Sequence, residues 1–506
     1  MENNTNNTPA DKSLLAAIDL GSNSFRLEIG RLDSGHIERV EYLKEAVRQG
    51  GDLDEDRNLT PEAMERGIRC LARFGERLQG FNPANVRAVA TQTLREANNR
   101  DLFIKQAKKA LGFDVEVISG VEEARLIYQG VSRFLPQSNE RKLVIDIGGR
   151  STEFILGQGF KSHQTASLHV GSVAWSLKHF GTGELTERAF SRAEIAAESI
   201  FDTLGVTFNR KHWDVAYGAS GTVGAVGDVL VQYGRPVDTI TREGLYWLRE
   251  ELLRTRHVDK LRLLGLKEDR KPVIAGGLSI LLGIFDFLKM DSLNVAKGAL
   301  RHGVLYDMLA RENDMLDLRN ASVNRLARKF SVDEKQAKTV ADVAGKLFDK
   351  ICEDINFAPG EQEIHAQKLR WAGTLHEIGC IVSPIDAHLH GSYILEHTDP
   401  PGFAQSELHC LSQLILGHRA KFKKIEIDFS NRIFAMQLIC LRLAVILCHT
   451  RQAPNLRGIQ LRLSLNTIKL SLPKAWPEKY PQSYYLLDEE TLNWSKTNWK
   501  FEILNN

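Results

Sequence analysis

Residues 18–30 read IDLGSNSFRLEIG and residues 145–157 read IDIGGRSTEFILG. Ile18, Asp19, Gly21, Ser24 and Gly30 recur as Ile145, Asp146, Gly148, Ser151 and Gly157 at one constant offset. Each copy reads as a short apolar strand ending in Asp, a Gly-rich turn, and a second strand with alternating polarity. Small residues at such a turn let backbone N–H groups come close to an anion. One hairpin in each of two related halves describes a phosphate clamp between two lobes.

The flanking sequence supports two such halves. Thr60-Pro61-Glu62 opens a helix expected to run to about Leu78, with Thr as N-cap and Pro in the first turn. A buried strand, Val86 to Ala90, leads into TQTLREANN; a helix follows from about Asp101, then a strand from Val115 to Ile118 and a helix from near Glu122. In the second half a strand at Val215-Ala216-Tyr217 feeds the turn GASGT. VIAGGLSILLGIFDFL and LNVAKGALRHGVLYDML have a similar strand–turn–helix look. Strands alternating with helices in two related halves predict a two-lobed α/β architecture.

Beyond about Leu316 glycine thins out, and Ser322 to Leu347, Lys368 to Leu375 and Ser406 to Leu416 read as helices. Near the end, IQLRLSL and IKLSLP flank a turn expected at Asn466-Thr467, with Ile459, Leu461, Leu463 and Leu465 on one face. The expected division is a disordered tail (1–12), lobe I (13–127), lobe II (128–315), a helical domain (316–424) and a small α+β domain (425–506).

A chain of 506 residues is too long for one core. A net charge of +2 excludes a globally basic nucleic-acid binder, so no DNA or RNA partner is expected. Six scattered cysteines without a CxxC pair predict free thiols in a reducing compartment. The N-terminus lacks the apolar core of a signal peptide, and the longest apolar stretch, Phe434 to Cys448, is too short to span a bilayer. A cytoplasmic protein without a membrane segment is expected, with peripheral membrane association left open.

Asp19 and Asp146 end their strands beside the Gly turns, where a carboxylate can hold Mg²⁺ or its waters while turn amides hold phosphate oxygens. Asp also caps turns for purely local reasons; its duplication together with the flanking Gly and Ser favours function. Ser22, Asn23 and Ser24 in the first turn, and Ser151 and Thr152 in the second, add short polar donors. The Gly218–Thr222 turn, with Gly218 and Ser220, is a third candidate phosphate loop. Arg95, in a polar loop after a strand, suits bidentate phosphate capture, or is a solvated surface residue. Glu122 and Glu123 begin a helix, where acidic residues complement the macrodipole. Alternatively, one of them points into the cleft and orients a water.

The segments AAIDLGSNSF, VATQTLREANN, VISGVEEARLIYQGV, LVIDIGGRSTEF, GASGT and GALRHGVLY, in this order, resemble the exopolyphosphatase/guanosine pentaphosphate phosphohydrolase (Ppx/GppA) family of the sugar kinase–Hsp70–actin fold. TLHEIG and LHGSYIL in the tail are similar to the long bacterial members. The resemblance implies an actin-like fold with duplicated ribonuclease H-like lobes, then an all-α HD-like domain and a small α+β domain. It implies that Glu123 orients or deprotonates the attacking water, and that Asp146 binds Mg²⁺ and positions water, with Glu153 at a metal-linked acidic position. Arg95, Gly148, Gly149, Ser151, Ser22 and Asn23 match phosphate-holding positions. Mg²⁺ is the implied cofactor, with other divalent cations or an activating K⁺ as variants, and a homodimer joined through the helical tails is the implied assembly.

Three departures stand out. The family's loop reads DIGGGS or DIGGAS, and here Arg150 replaces the small residue; it either adds a phosphate contact or crowds the loop. Leu168 and His169 precede the retained Gly171 where relatives carry basic or small polar residues. The HD pair is His376-Glu377, with His390 and His418 as possible partners, which favours a degenerate, structural domain.

The expected activity is release of terminal orthophosphate from inorganic polyphosphate by Mg²⁺-assisted water attack. Hydrolysis of guanosine pentaphosphate (pppGpp) to the tetraphosphate is the alternative, and a non-catalytic polyphosphate or alarmone-binding regulator the second. His418, Arg419, Lys421, Lys423 and Lys424 either line a basic path for a long polyanion or form a solvated loop.

Overall fold

The computed structural model describes residues 14–33, 36–135, 138–309, 314–353, 355, 357, 360–398, 400, 402–419, 421–422 and 425–505. The expected disordered tail and Lys423 and Lys424 lie outside them. The chain divides into two compact units, Met1–Leu316 and Asp317–Asn506.

In the first unit, strands β1 (Leu14–Leu20), β2 (Phe25–Asp33) and β3 (His36–Glu45) form an antiparallel meander. Helix α1 (Pro61–Arg77) follows, its N-terminus capped by the Thr60 hydroxyl, which accepts from the Ala63 amide at 3.3 Å. Next come β4 (Val86–Ala90), the short helix α2 (Gln92–Glu96), α3 (Arg100–Leu111), β5 (Val115–Val117) and α4 (Gly120–Ser132). The sheet order is β3-β2-β1-β4-β5, with β4 parallel to both β1 and β5.

Lobe II repeats this plan with β6 (Arg141–Ile147), β7 (Thr152–Gln158) and β8 (Lys161–Leu168). It continues through α5 (Ser172–Phe180), α6 (Glu187–Phe201), β9 (Val215–Ala219), α7 (Ser220–Gln232), β10 (Thr239–Thr241), α8 (Arg242–Thr255), α9 (Ile274–Leu288), β11 (Ser292–Val295) and α10 (Leu300–Leu309). Its order β8-β7-β6-β9-β11 reproduces that of lobe I, and β10 adds an antiparallel edge. The result is the actin-like fold, two ribonuclease H-like lobes in one unit. Even the irregularities recur: the register shifts at Ile29/Gly30 in one meander and at Leu156/Gly157 in the other. A Cβ on Gly30 would stand 2.3 Å from the Ile37 side chain, and one on Gly157 2.2 Å from the Tyr128 ring. The last glycine of the duplicated motif therefore serves close packing at a bulge, away from the turn.

VIAGGLSILLGIFDFL contains no strand. It is the core helix α9, buried on all sides. Gly276 and Gly277 let that helix approach Ser176 and Thr222, where added Cβ atoms would each lie 2.4 Å from a side chain. The stretch Glu268–Leu288 is apolar and long enough to cross a membrane, but 72% of its apolar window is buried in the protein. That burial marks a core element.

In the second unit, α11 (Asp314–Lys329) and α12 (Glu334–Cys352) replace the single helix expected from Ser322 to Leu347. Ser331 turns left-handed between them (φ 53°), and the Asp333 carboxylate restarts the helix by accepting from the Lys335 and Gln336 amides. Helices α13 (Glu361–Leu375), α14 (Ala387–Glu396), α15 (Gln405–Gly417) and α16 (Arg432–Leu447) follow. Strands β12 (Gln460–Ser464) and β13 (Thr467–Leu472), helices α17 (Trp476–Lys479) and α18 (Pro481–Trp494), and β14 (Lys500–Asn505) complete it. Ser464 pairs with Thr467, so the hairpin turn is Leu465-Asn466. Leu465 adopts φ 52° there and is 85% exposed, off the apolar face on which it was expected. Residues on both sides of position 424, among them Phe348, Trp371, Leu443, Ile468 and Trp494, share one core.

Candidate active site

The two Asp-Gly turns face each other across a cleft of about 410 Å³. Gly21 and Gly148 allow the same close approach: a Cβ would lie 3.1 Å from the Ser24 carbonyl oxygen in one loop and 3.0 Å from the Ser151 carbonyl oxygen in the other. The loops also pack on each other, since a Cβ on Gly149 would meet the Ser22 Cβ at 2.9 Å. Ser22, Asn23, Ser24, Gly148, Gly149 and Ser151 all line the cleft. The Ser24 hydroxyl is buried and has no hydrogen-bond partner among the described residues, the state of a polar group that a ligand completes. Ser220 opens α7 at φ 77°, a strained position for a non-glycine residue, and its hydroxyl donates to the Ile147 carbonyl at 2.6 Å.

Glu123 reaches the cleft from the first turn of α4, whose N-cap Ser119 accepts from the Glu122 amide at 3.1 Å. The helix start lies against lobe II; a Cβ on Gly120 would stand 2.5 Å from the Ser167 Cβ. Glu122 and Glu123 divide their work. Glu122 is buried against Arg125 (2.7 Å), which also reaches Asp307 (2.8 Å). Glu123 pairs with Arg95 at 2.7 Å.

The hairpins differ in charge at the pair of residues facing across each Asp. Asp19 faces Arg26 across β1–β2 and pairs with it at 2.9 Å. Asp146 faces Glu153 across β6–β7, at the matching register. Burial, then the neighbouring Glu123 carboxylate, pushes the Asp146 carboxyl up to about 7. Burial followed by the same neighbours raises Glu153 well above its ordinary range, and burial raises Glu123 against the pull of Arg95. Asp146 makes no ion pair among the described residues, and Glu153 accepts from the Ser167 hydroxyl at 2.8 Å. Crowded oxygen donors whose mutual repulsion a cation would relieve are a donor set for a hard divalent ion. Among the described residues no three His, Cys, Asp or Glu groups have the geometry of a complete metal cage.

Cations line the rest of the cleft. Lys44 is tied to Asp269 at 3.0 Å and Arg301 to Glu28. Arg270 is nine-tenths buried over Gly221, where a Cβ would fall 2.1 Å from its guanidinium. It makes no ion pair among the described residues, so burial and then Arg26 hold its pKa below the usual range.

Comparison with known proteins gives the family. The model of the Ppx/GppA phosphatase family matches residues 29–312, and that of Ppx/GppA phosphatase domain III matches 318–491. The chain belongs to the Ppx/GppA phosphatase family. It is 36% identical over 97% of its length to a guanosine-5'-triphosphate,3'-diphosphate pyrophosphatase of Pseudoalteromonas translucida, 98% of which is covered. The protein of the same name from Aeromonas hydrophila is 34% identical over 97% of the chain and 99% of that relative. An exopolyphosphatase structure from Cytophaga hutchinsonii covers 59% of the chain and 98% of its own (TM-score 0.54, 25% identity). A Ppx/GppA family member from Aquifex aeolicus covers 59% and 98% (TM-score 0.51, 25% identity). As a Ppx/GppA phosphatase, the chain is a phosphoanhydride hydrolase.

Not every residue expected at the Ppx/GppA cleft is found in it. Arg95 sits in helix α2 rather than a loop; its guanidinium is held by Glu123, the Ile118 carbonyl and Gln92. Gly218 is inside β9, packed on Leu293 and Val223, because the strand runs one residue past it; Gly221 and Thr222 line the cleft instead. Arg150 turns away from the cleft to Glu96, which neutralises it. Arg26, Lys44, Lys267, Arg270 and Lys297 were missed. The Arg26/Glu153 contrast was available from the constant offset, whereas Arg270 comes from an irregular segment with no motif.

In the second unit, where a degenerate HD-like domain is expected, the candidate ligands make other contacts. Glu377 turns to Arg451 at 2.7 Å. Ring contacts join His418 to His376 (5.7 Å) and to His388 (6.5 Å) instead of the expected His390. The Nδ1 atoms of His376 and His418 bond to the Gly373 and Ile415 carbonyls, and burial lowers both pKa values. His418 is thus a buried side chain and no part of a basic surface path, although Arg419 and Lys421 are exposed.

Proposed function

We propose that this chain hydrolyses the terminal phosphoanhydride of guanosine pentaphosphate, releasing orthophosphate and the tetraphosphate. This is the alternative in the sequence reading, and it displaces exopolyphosphatase as the main one. Support comes from relatives that match the chain end to end and carry that activity in their names. The exopolyphosphatase likeness covers 59% of the chain. Polyphosphate ends in the same phosphoanhydride, so it is the second substrate to test.

The observation that carries the hydrolytic reading is that Glu123 and Asp146 line one cleft with the two Asp-Gly loops. Glu123, fixed by Arg95, holds the attacking water and takes its proton as the phosphorus–oxygen bond forms. Its elevated pKa favours that transfer. The loop amides and the Ser22, Ser24 and Ser151 hydroxyls hold the terminal phosphoryl oxygens. Arg270 supplies positive charge that no protein carboxylate claims among the described residues. Asp146, beside Glu153, would hold a Mg²⁺ ion. When bound, that ion neutralises charge on the phosphates. A homodimer, as implied by the resemblance, belongs to the same proposal and is checked by sedimentation.

The test is phosphate release from pppGpp and from polyphosphate side by side, with Mg²⁺ and with chelator. Faster specific turnover of pppGpp supports the proposal; release from polyphosphate alone refutes it.

A further inference from the structure

Arg150 occupies the tip of the second phosphate loop, yet its charge is spent outside the cleft. Its Nη2 and Nε donate to Glu96 Oε2 at 2.5 and 3.1 Å, and its Nη1 donates to the Gly50 carbonyl. Both partners belong to lobe I. Gly50 lies on the first phosphate loop, its amide donating to the Ser22 carbonyl at 2.7 Å. Glu96 ends helix α2, one residue after Arg95.

The contacts continue inward. Gln92 Nε2 donates to Glu96 Oε1 at 2.6 Å, and Gln92 Oε1 accepts from Arg95 Nη2 and Nε at 2.5 and 3.0 Å. Arg95 Nη1 then donates to Glu123 Oε2 at 2.7 Å. Burial opposes the charge on Glu96, but hydrogen bonds from His169, Gln92 and Arg150 hold its pKa at about 2. The side chains of Arg150 and Glu96 are 20% and 16% exposed, so the pair is sheltered from salt more than a surface bridge. Gly171 makes room for it; a Cβ there would strike the Arg150 backbone at 2.4 Å.

We propose that Arg150 is a positioning residue: it latches the second phosphate loop to lobe I through Glu96 and the Gly50 carbonyl, and through Gln92 it sets the orientation of Arg95 and Glu123. It gives the two lobes a fixed spacing across the cleft mouth. Displacement of a catalytic group by about 1 Å can cost up to about a hundredfold in rate, so a latch of this kind acts on turnover more than on binding.

The test combines a double-mutant cycle with hydrogen exchange on the full chain. Arg150→Ala and Glu96→Gln should each lower kcat about tenfold with KM changed less than about threefold, and the double variant should be no worse than the weaker single one. Arg150→Lys, which still reaches Glu96 but loses the bidentate fork, should keep kcat within about threefold of the wild type. Amide exchange over residues 47–51 should rise in Arg150→Ala and fall back in Arg150→Lys. A raised KM at unchanged kcat would make Arg150 a phosphate ligand and overturn the latch, as would losses that multiply in the double variant. Unchanged exchange over 47–51 overturns it as well. The kinetic arm rests on the hydrolase reading, not on which substrate is preferred. A wild type inactive on both substrates refutes that reading while the exchange arm still decides the latch.

Discussion

The hairpins of lobes I and II have the same strands, the same bulge and the same Gly approach to a Ser carbonyl, and they differ in charge. In lobe I the facing pair is Asp19–Arg26, and its charge is closed within the hairpin. In lobe II the facing pair is two carboxyls, Asp146 and Glu153, with Glu123 added from α4, and burial together with their crowding raises the pKa of both. A second difference lies three residues into β2 and β7. Glu28 is buried in lobe I under Arg301, His302 and Arg39, where Ile155 fills the matching position in lobe II. Duplication supplied one scaffold twice, and side-chain charge distinguishes the copies: one hairpin closes its carboxylate on an arginine, and the other sets two carboxyls face to face.

The strongest way to break this contrast is at the residue between the copies. Glu123→Gln is expected to lower kcat about a thousandfold with folding intact by circular dichroism, because the proton acceptor is lost. Next, Asp146→Asn should cost about a hundredfold and abolish activation by Mg²⁺, whereas Asp19→Asn should cost about tenfold and leave the Mg²⁺ titration midpoint in place. Equal losses in both would mean the lobes share the metal role. Glu153→Gln should raise the Mg²⁺ concentration needed for half-activation about tenfold, read by titrating phosphate release, since it removes charge without removing the main ligand.

The smallest effect concerns stability. Burial opposes ionisation of Glu28, yet His302 and Arg301 hold its pKa at about 2, below its ordinary 4.5. A depressed carboxylate stabilises the fold above the unfolded value and loses that contribution as pH falls through the folded one. The wild type should therefore exceed Glu28→Gln by on the order of 2 kcal/mol at neutral pH, with the gap closing between about pH 4.5 and 2. A gap independent of pH in denaturant unfolding would remove the charge explanation.

Much of this site was legible because it is local. Strand, Asp and Gly turn are consecutive in each copy, and the first-turn position of Glu123 follows from Ser119-Gly120. The errors came where neighbours distant in sequence decide. Gly276-Gly277 reads as a turn until Ser176 and Thr222 demand a close-packed helix. Gly218 reads as a loop residue until Leu293 closes on it.

The sequence by itself determined the duplicated hairpins and the two-lobed plan, since hydrophobic period and turn chemistry are properties of short segments. Only the tertiary structure decided where each charge is used. It closed Asp19 on Arg26, left Asp146 beside Glu153, buried Arg270 without a counterion among the described residues and turned Arg150 to Glu96. Electrostatic roles depend on which groups meet across the fold and how far water is kept from them, and neither is written in the spacing of residues along the chain.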